Sequence, residues 1–440
     1  MGKNSNVGLA LALLLAGSMW FYVPHILIGH QQADAALRGT PRGNLSDLYP
    51  RWLGARELLL HHRDPYSPEV TREIQIGYYG RQLNPTSPSD PRDQQGFAYP
   101  VYVAFLLAPT ITMPFPVVQT GFRWLLVALT AATVLLWLRT LRWQPSSVTT
   151  AILIVMTLGS FQVLQGINLQ QLSLLVGGLI AGCALLLAEG YLALAGILLA
   201  SASIKPQLVL PLAAWLLLWT FSDWRRRQNL LWGFVSTMGV LFAGAEYVLP
   251  GWIGRFRGAI TAYQQYNDAG SVLDVLITPE WGRVLAGLIV LALAVTGWKF
   301  RRASTDSPVF NVMLGLVLAT TVVIVPKAAP YNQILLLPAS LIVARHWQTL
   351  WQKNLMSRLL LLVCGLLIFW PWLAATALTI ASLSLPPDIV QKAWAVPVWT
   401  SLAIPVAVLV LLTSGFPEFA GTSVDNRSPS SPDRTGPQRA

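Results

Sequence analysis

Charged side chains are scarce in this chain, because Asp, Glu, Lys and Arg together make up only 11% of its 440 residues. Hydrophobic residues make up 54%, and the mean hydropathy is +0.53. The apolar runs are long enough to cross a hydrocarbon core of roughly 30 Å many times. They are continuous and do not alternate in polarity, which excludes the pattern of a membrane β-barrel. The composition therefore predicts an all-α, polytopic membrane protein.

Cysteines and soluble cofactor motifs are also sparse. The two cysteines, Cys183 and Cys364, lie inside apolar runs, so we expect reduced and buried thiols. The chain has no P-loop and no sequence repeat at a fixed period. Much of its net charge of +11 lies in short loops beside apolar runs. Such charge indicates membrane topology and does not indicate a nucleic-acid partner.

The apolar runs predict about twelve membrane crossings. The first, residues 7–29, has no small-residue cleavage site at its end, so we expect a retained span. The others lie at 97–113, 117–138, 148–164, 172–188, 191–221, 230–249, 284–298, 309–325, 334–344, 359–377 and 396–412. We count 191–221 as one interrupted crossing. The chain is thus predicted to be one transmembrane domain, 1–413, followed by a disordered cytoplasmic tail, 414–440.

The basic loops predict the orientation. With the N-terminus in the cytoplasm, the basic residues at 225–227, 299–302 and 345–358 fall on the cytoplasmic side, as the positive-inside rule requires. Arg139 and Arg142 fall on the opposite side in this scheme and disagree with the rule. We expect an integral protein of the plasma membrane.

Residues 31–96 form a long polar loop that this topology places outside the cytoplasm. It contains eight acidic residues: Asp34, Asp47, Glu57, Asp64, Glu69, Glu73, Asp90 and Asp93. Apolar residues recur at helical spacing from Leu48 to Leu59, which predicts an amphipathic helix over 47–62 at the membrane interface. We expect this first extracytoplasmic loop to form one wall of an active site.

Asp47 and Asp34 are the candidate catalytic bases. Asp47 is expected at the N-cap of the loop helix, where a carboxylate accepts backbone N–H bonds, and a capped carboxylate is also rigid enough to act as a general base. Asp34 lies just after the first span, and spacing alone does not separate it from Asp47. Asp64-Pro65-Tyr66 predicts a turn that ends the helix, with Tyr66 near a substrate cavity.

Polar residues interrupt the apolar sequence at two later places. Gln165 and Asn168 are amides at membrane depth, which are costly unless they are paired, and they indicate either a polar turn or a substrate cavity. Lys205, followed by Pro206, breaks a long apolar run. It is expected either to neutralise a lipid phosphate or to extend its ammonium group to the membrane interface.

Further candidates follow in the predicted outer loops. Lys327 and Arg255 are alternative cations for the same phosphate. Tyr266 offers an aromatic contact to a sugar ring, although an aromatic belt at the headgroup level explains it equally well.

Four short blocks carry a resemblance to a known family. They are Asp47-Leu48-Tyr49 through Asp64-Pro65-Tyr66 with Tyr99-Pro100; Gln165-Gly166-Ile167-Asn168; Lys205-Pro206 followed by Asp223-Trp224-Arg225; and Pro330-Tyr331 leading to Leu337-Pro338. In this order they resemble glycosyltransferase family 87, mannosyltransferase-like membrane proteins of the GT-C architecture. The resemblance implies a catalytic acid group, which maps onto Asp47. It also implies inverting transfer from a polyprenyl-phosphate sugar on the extracytoplasmic face.

The predicted activity is therefore hexosyl transfer, with a mannose-like sugar moving to a hydroxyl of a lipid or glycan acceptor. Asp47 is the expected base, and Lys205, with Lys327 or Arg255, is expected to stabilise the departing phosphate. The sequence identifies no metal ligands and no certain cofactor, and it leaves a divalent cation open. Two alternatives remain at this stage: a transporter or flippase of lipid-linked sugars, and a polysaccharide ligase or polymerase.

Overall fold

The computed structural model describes residues 2–37, 39, 46–84, 86–87, 90–91, 93–266 and 270–421, apart from the side chains of residues 2–5 and 266. All regular secondary structure within these residues is helical, and they include no strand. This confirms the predicted all-α class. Most of the predicted tail, from residue 422 onward, lies outside the described residues, whereas its first part contains a short helix, Phe416–Phe419.

The described residues between Gly2 and Val248 form twelve helices and several single turns. They are α1 (Gly2–Tyr22), α2 (Ile28–Leu37), α3 (Tyr49–His61), α4 (Pro68–Tyr79), α5 (Val103–Leu107), α6 (Phe115–Thr140), α7 (Ser147–Leu158), α8 (Phe161–Asn168), α9 (Leu172–Ala188), α10 (Leu192–Ser201), α11 (Pro206–Phe221) and α12 (Trp224–Val248). A π-helical turn, Val23–Leu27, joins α1 to α2.

The C-terminal half continues the same pattern. Its helices are α13 (Trp252–Tyr266), α14 (Val272–Leu276), α15 (Pro279–Lys299), α16 (Pro308–Ile324), α17 (Leu337–Arg345), α18 (Trp347–Lys353), α19 (Leu355–Ala381), α20 (Pro387–Gln391), α21 (Ala395–Thr400), α22 (Ile404–Ser414) and α23 (Phe416–Phe419). A 3₁₀ segment, Pro330–Leu336, leads into α17.

Six helical stretches of the described chain are long and apolar enough to cross a membrane. They are Asn6–Leu37, Phe115–Thr140, Trp224–Val248, Pro279–Lys299, Leu355–Ala381 and Pro387–Ser414. The pair α7 and α8, bent by 58° at its break, brings the number to seven if the pair is one span. Shorter apolar helices run over Leu172–Ala188, Leu192–Ile204, Pro206–Phe221 and Pro308–Ile324. The protein is therefore a helical integral membrane protein.

Basic side chains gather at one end of the helices, which we call the basic end. Arg345 Nη1 donates to the carbonyl of Leu141 at 2.7 Å, so the α6–α7 corner lies beside the end of α17. Arg227 Nη1 donates to the carbonyl of Arg301 at 3.1 Å, which joins the start of α12 to the end of α15. Helix α23 connects these two groups, because its aromatic rings pack against Phe300 and His346.

This arrangement corrects the predicted position of Arg139 and Arg142, which lie at the same end as the other basic loops. Two errors in the predicted spans explain the difference. Residues 97–113 hold only α5 and a 3₁₀ turn, because prolines interrupt them. Residues 191–221 contain two helices, α10 and α11, and not one interrupted crossing. The helices break where Lys205 precedes Pro206, since a residue before proline avoids the helical conformation.

A helix, α3, lies within the range predicted for the amphipathic loop helix, and much of its surface is packed against protein. Trp52, Ala55 and Leu58 are buried in the main apolar core together with residues of α4 and α5. The Trp52 indole donates to the carbonyl of Thr110 at 3.1 Å. Its location at the membrane interface stays a prediction. The helix holds the start of the loop against the end of the bundle opposite the basic end.

Candidate active site

The segment before α3 is fixed to the turn that follows α8. The Asp47 backbone N–H donates to the carbonyl of Leu169 at 3.0 Å. Ser46 Oγ donates to Gln170 Oε1 at 2.6 Å and accepts from the Leu48 N–H at 3.2 Å. Ser46, Leu48 and Gln170 are all fully buried. Asp47 is therefore held by backbone and side-chain contacts on both sides.

Gln170 explains why this turn has a defined shape. Its backbone has φ +48°, a left-handed conformation that is unusual for a residue other than glycine. The side-chain amide compensates, because Nε2 donates to the carbonyls of Ile167 and Asn168 at 2.7 Å each. These bonds satisfy carbonyls at the C-terminus of α8 and leave Gln170 Oε1 for Ser46.

Asp47 is not the N-cap of the loop helix, which corrects the sequence prediction. Helix α3 begins at Tyr49, its N-cap is Leu48, and no side chain caps it. The Asp47 carboxylate turns instead toward Gln171, whose Nε2 donates to Asp47 Oδ2. The Asp47 carboxylate therefore makes no capping hydrogen bond to the N-terminus of α3.

Lys205 lies at the break between α10 and α11, and its side chain is buried. Its ammonium donates to Gln171 Oε1 at 2.8 Å and to Ser173 Oγ at 2.6 Å. It also faces the rings of Tyr331 and Tyr99, at 5.1 Å and 5.8 Å from their centroids. Among the described residues no carboxylate lies within ion-pair distance of it. Asp47 and Lys205 are thus joined through the single side chain of Gln171.

Two more cations reach this region, and each has a donor without an acceptor. The Arg51 guanidinium donates to the Asp47 carbonyl and lies 4.5 Å from the Tyr99 ring centroid. Lys327 Nζ lies 3.2 Å from the Tyr263 ring centroid. Arg51 Nε and Lys327 Nζ are both buried and make no hydrogen bond within the described part of the chain. Buried donors of this kind favour an anionic ligand.

The charges in this region act on each other. Burial raises the pKa of Asp47, while Arg51 and Lys205 oppose the shift and Asp93 adds to it. Burial lowers the pKa of Lys327 to about 8, with Asp93 opposing the shift. A raised carboxyl pKa and a lowered ammonium pKa are typical of catalytic sites. We call Asp47, Arg51, Asp93, Gln171, Lys205 and Lys327 the polar cluster.

The polar cluster includes three of the predicted residues, Asp47, Lys205 and Lys327. Arg255 instead pairs with Asp64 at 2.7 Å, with 43% of its side chain exposed. Asp34 is half-buried in α2 and is not among the leading charges that act on Asp47.

The predicted cavity residues are placed around the cluster. Tyr66 Oη donates to the Tyr99 carbonyl at 2.6 Å, so it positions that tyrosine, and the Asp64-Pro65-Tyr66 turn is present as predicted. Gln165 is half-buried in α8, with Oε1 buried and without a hydrogen-bond partner within the described residues. Asn168 is half-buried at the end of the same helix. The side chain of Tyr266 lies outside the described residues.

Sequence reasoning missed Arg51, Asp93 and Gln171 as site residues. Arg51 had a usable signal, because it follows Asp47 by one helical turn. Gln171 follows the amides Gln165 and Asn168 closely in the sequence, so the same polar interruption could have indicated it. Asp93 had no local signal beyond its charge. Within the described residues no group of three or more His, Cys, Asp or Glu side chains is arranged to hold a metal ion.

A cavity of about 550 Å³ lies at the basic end, lined in part by Arg139, Arg142, Trp143 and Glu189. Its one carboxylate, Glu189, is already paired with Arg139 at 2.5 Å. The polar cluster is the better active-site candidate, because the Asp47 carboxylate and two of the cations retain bonding capacity.

The fold and the polar cluster together define a membrane-embedded protein with acid and cationic groups at one end of an apolar helical bundle. The chain belongs to glycosyltransferase family 87, whose family model matches residues 97–326, about half of the sequence. The resemblance to this family is confirmed, and the protein is a membrane glycosyltransferase. No curated protein and no solved structure matches the chain. The matched range contains Tyr99, Gln171 and Lys205, whereas Asp47, Arg51 and Asp93 precede it and Lys327 directly follows it.

Proposed function

We propose that the protein transfers a mannose-like hexose from a polyprenyl-phosphate sugar to a hydroxyl group of a lipid or glycan acceptor, with inversion. One observation carries the proposal: a half-buried carboxylate, Asp47, and a buried ammonium, Lys205, bind opposite ends of one amide. Glycosyl transfer from a phosphate donor needs both a base and a cation beside the leaving group.

In this mechanism Asp47 accepts the proton of the acceptor hydroxyl as its oxygen bonds to the anomeric carbon of the sugar. The bond from that carbon to the phosphate oxygen breaks, and its electron pair stays on the polyprenyl phosphate. A single displacement inverts the anomeric centre. The raised pKa of Asp47 suits this role, because a base is most effective when its pKa is close to the working pH.

The departing phosphate is stabilised by Lys205, Lys327 and Arg51. Arg51 Nε and Lys327 Nζ are buried donors that lack acceptors among the described residues, so phosphate oxygens can fill both positions. Arg255 is the weaker candidate, because Asp64 already holds its guanidinium. Gln165, with an unpaired buried Oε1, Asn168, Tyr66 and Tyr266 remain proposals for the substrate cavity.

The active site is proposed to face the extracytoplasmic side of the plasma membrane. The gathering of Arg139, Arg142, Arg227, Arg301 and Arg345 at the opposite end supports this orientation through the positive-inside rule. This orientation is consistent with twelve crossings if α10 and α11 are counted as two crossings and residues 97–113 do not cross the membrane. Residues 1–413 then form one domain with both ends in the cytoplasm, and 414–440 is the cytoplasmic tail.

The test is a transfer assay with purified protein in liposomes, labelled polyprenyl-phosphate sugars and a panel of acceptor lipids. Asp47→Asn is nearly isosteric and removes the base, so we expect a fall in kcat of about 100-fold or more. Asp34→Asn is the matched control and is expected to keep wild-type activity. Full transfer by folded Asp47→Asn protein would exclude Asp47 as the base. Loss of activity in Asp34→Asn alone would assign that role to Asp34.

A further inference from the structure

Gln171 lies between two charged groups that the proposed mechanism uses, Asp47 and Lys205. It is 2% exposed, and it contacts both the proposed base and the proposed phosphate-binding cation. Its Nε2 donates to Asp47 Oδ2, and its Oε1 accepts from Lys205 Nζ at 2.8 Å. A side-chain amide can do both, because it has a donor and an acceptor on one short planar group.

The orientation of the Gln171 amide is determined by its neighbours. A carboxylate accepts hydrogen bonds and an ammonium donates them, so the NH₂ group must face Asp47 and the oxygen must face Lys205. The flipped amide would place two acceptors together at one end and two donors at the other. Asp47 and Lys205 therefore hold the amide in one state, and the amide holds both of them.

Lys205 is anchored a second time on its far side. Ser173 Oγ accepts from Lys205 at 2.6 Å and donates to Asn332 Oδ1 at 2.8 Å. A continuous chain of bonds thus runs from Asp47 through Gln171, Lys205 and Ser173 to Asn332. All of these residues except Asp47 are classed as buried, so solvent does not compete strongly for the bonds.

We propose that Gln171 is a positioning residue that keeps the base and the phosphate-binding cation apart while holding both in place. This inference rests on the proposed function. If Asp47 and Lys205 formed a direct ion pair, the carboxylate would be a weaker base and the ammonium would already be neutralised. The amide spacer prevents that pairing and leaves both groups available to the substrates.

Other charged and titratable groups interact electrostatically with Asp47 and therefore influence the pH profile of the enzyme. The charged and titratable side chains that act on Asp47, or on which Asp47 acts, are Arg51, Tyr78, Asp93, Lys205, Tyr263, Lys327 and Tyr331. Gln171 lies between Asp47 and one of them, Lys205. A change at Gln171 therefore alters the Asp47–Lys205 interaction specifically, while the remaining charges keep their positions.

Two variants of Gln171 have opposite expected effects on the pH profile of kcat/KM. Gln171→Ala opens space for Lys205 to approach Asp47, so the acidic limb moves to lower pH and kcat falls by about 100-fold, the cost of roughly 1 Å of misplacement. Gln171→Glu is nearly isosteric and places a second carboxylate beside Asp47. The acidic limb then moves to higher pH, and the donor KM rises because Glu neutralises Lys205.

Gln162→Ala is the matched control. Gln162 is also a buried amide, 6% exposed, and donates to Gln333 Oε1 at 2.9 Å, with neither side chain in the polar cluster. We expect this variant to leave the pH profile unchanged. Thermal unfolding in detergent is followed for each variant, so that a loss of folding is separated from a loss of positioning.

The inference is overturned if both Gln171 variants keep the wild-type pH limbs and lose no more activity than Gln162→Ala. Opposite shifts in the two variants support it. The proposed function fails by a different result, namely no transfer by the wild-type protein from any polyprenyl-phosphate sugar, or full transfer by Asp47→Asn. The two failures are therefore distinguished in one set of assays.

Discussion

Replacing Lys205 by methionine tests most directly the proposal that Asp47 acts as the base while Lys205 stabilises the departing phosphate. The change removes the positive charge and keeps a long, flexible side chain of similar length. Lys205 is only 5% exposed, so water cannot easily take over its role beside the phosphate. Removing one preorganised donor from the developing negative charge of a transition state lowers kcat by about 100- to 1,000-fold, or about 2.7–4 kcal/mol.

The structure also predicts that the Lys205→Met protein stays folded. Lys205 forms no direct ion pair among the described residues, so the change leaves no carboxylate stranded. It leaves two acceptors without this partner, Gln171 Oε1 and Ser173 Oγ. Ser173 keeps its bond to Asn332, so we expect a loss of stability of about 1–3 kcal/mol.

The assay measures initial rates of sugar transfer in liposomes over a range of donor concentrations, with thermal unfolding measured on the same preparations. Arg255→Met is the matched control, because Arg255 is a cation held outside the polar cluster by Asp64. We expect it to change kcat by less than about threefold, as for other surface ion pairs. A folded Lys205→Met enzyme with near-normal kcat would refute the reasoning.

Three further outcomes are expected from the charges of the polar cluster. The pH profile of kcat/KM is expected to be bell-shaped. Activity falls as pH drops through the raised pKa of Asp47, because the base becomes protonated. Activity also falls as pH rises through the pKa of Lys327, about 8, because the ammonium loses its charge. Lys327→Arg keeps a positive charge at this position at high pH, so the basic limb should disappear in the same rate measurements. A basic limb that persists in this variant would exclude Lys327 as its source. Asp93→Asn removes a negative charge that raises both pKa values, so the whole bell should move to lower pH, and an unmoved profile would contradict the shared field.

The local signals in the sequence indicated several residues of the candidate site but not the contacts between them. Asp47 and Lys205 stood out because a carboxylate in a polar loop and a lysine in an apolar run are each unusual. Their meeting through Gln171 depends on how α9, α10 and the segment before α3 pack together. Arg255 was as good a candidate as Lys327 by charge and position, and only the contact with Asp64 separates the two.

The sequence by itself determined the class of this protein and its family. Long apolar runs require helices in a bilayer, because helices satisfy their own backbone hydrogen bonds, and the ordered motifs were enough to identify glycosyltransferase family 87. Only the tertiary structure decided which side chains share the site and which helix ends lie together. Those facts depend on contacts between segments far apart in the chain, and no local pattern encodes them. The position of Arg139 beside the other basic loops, and of Gln171 between Asp47 and Lys205, became visible only in the packed molecule.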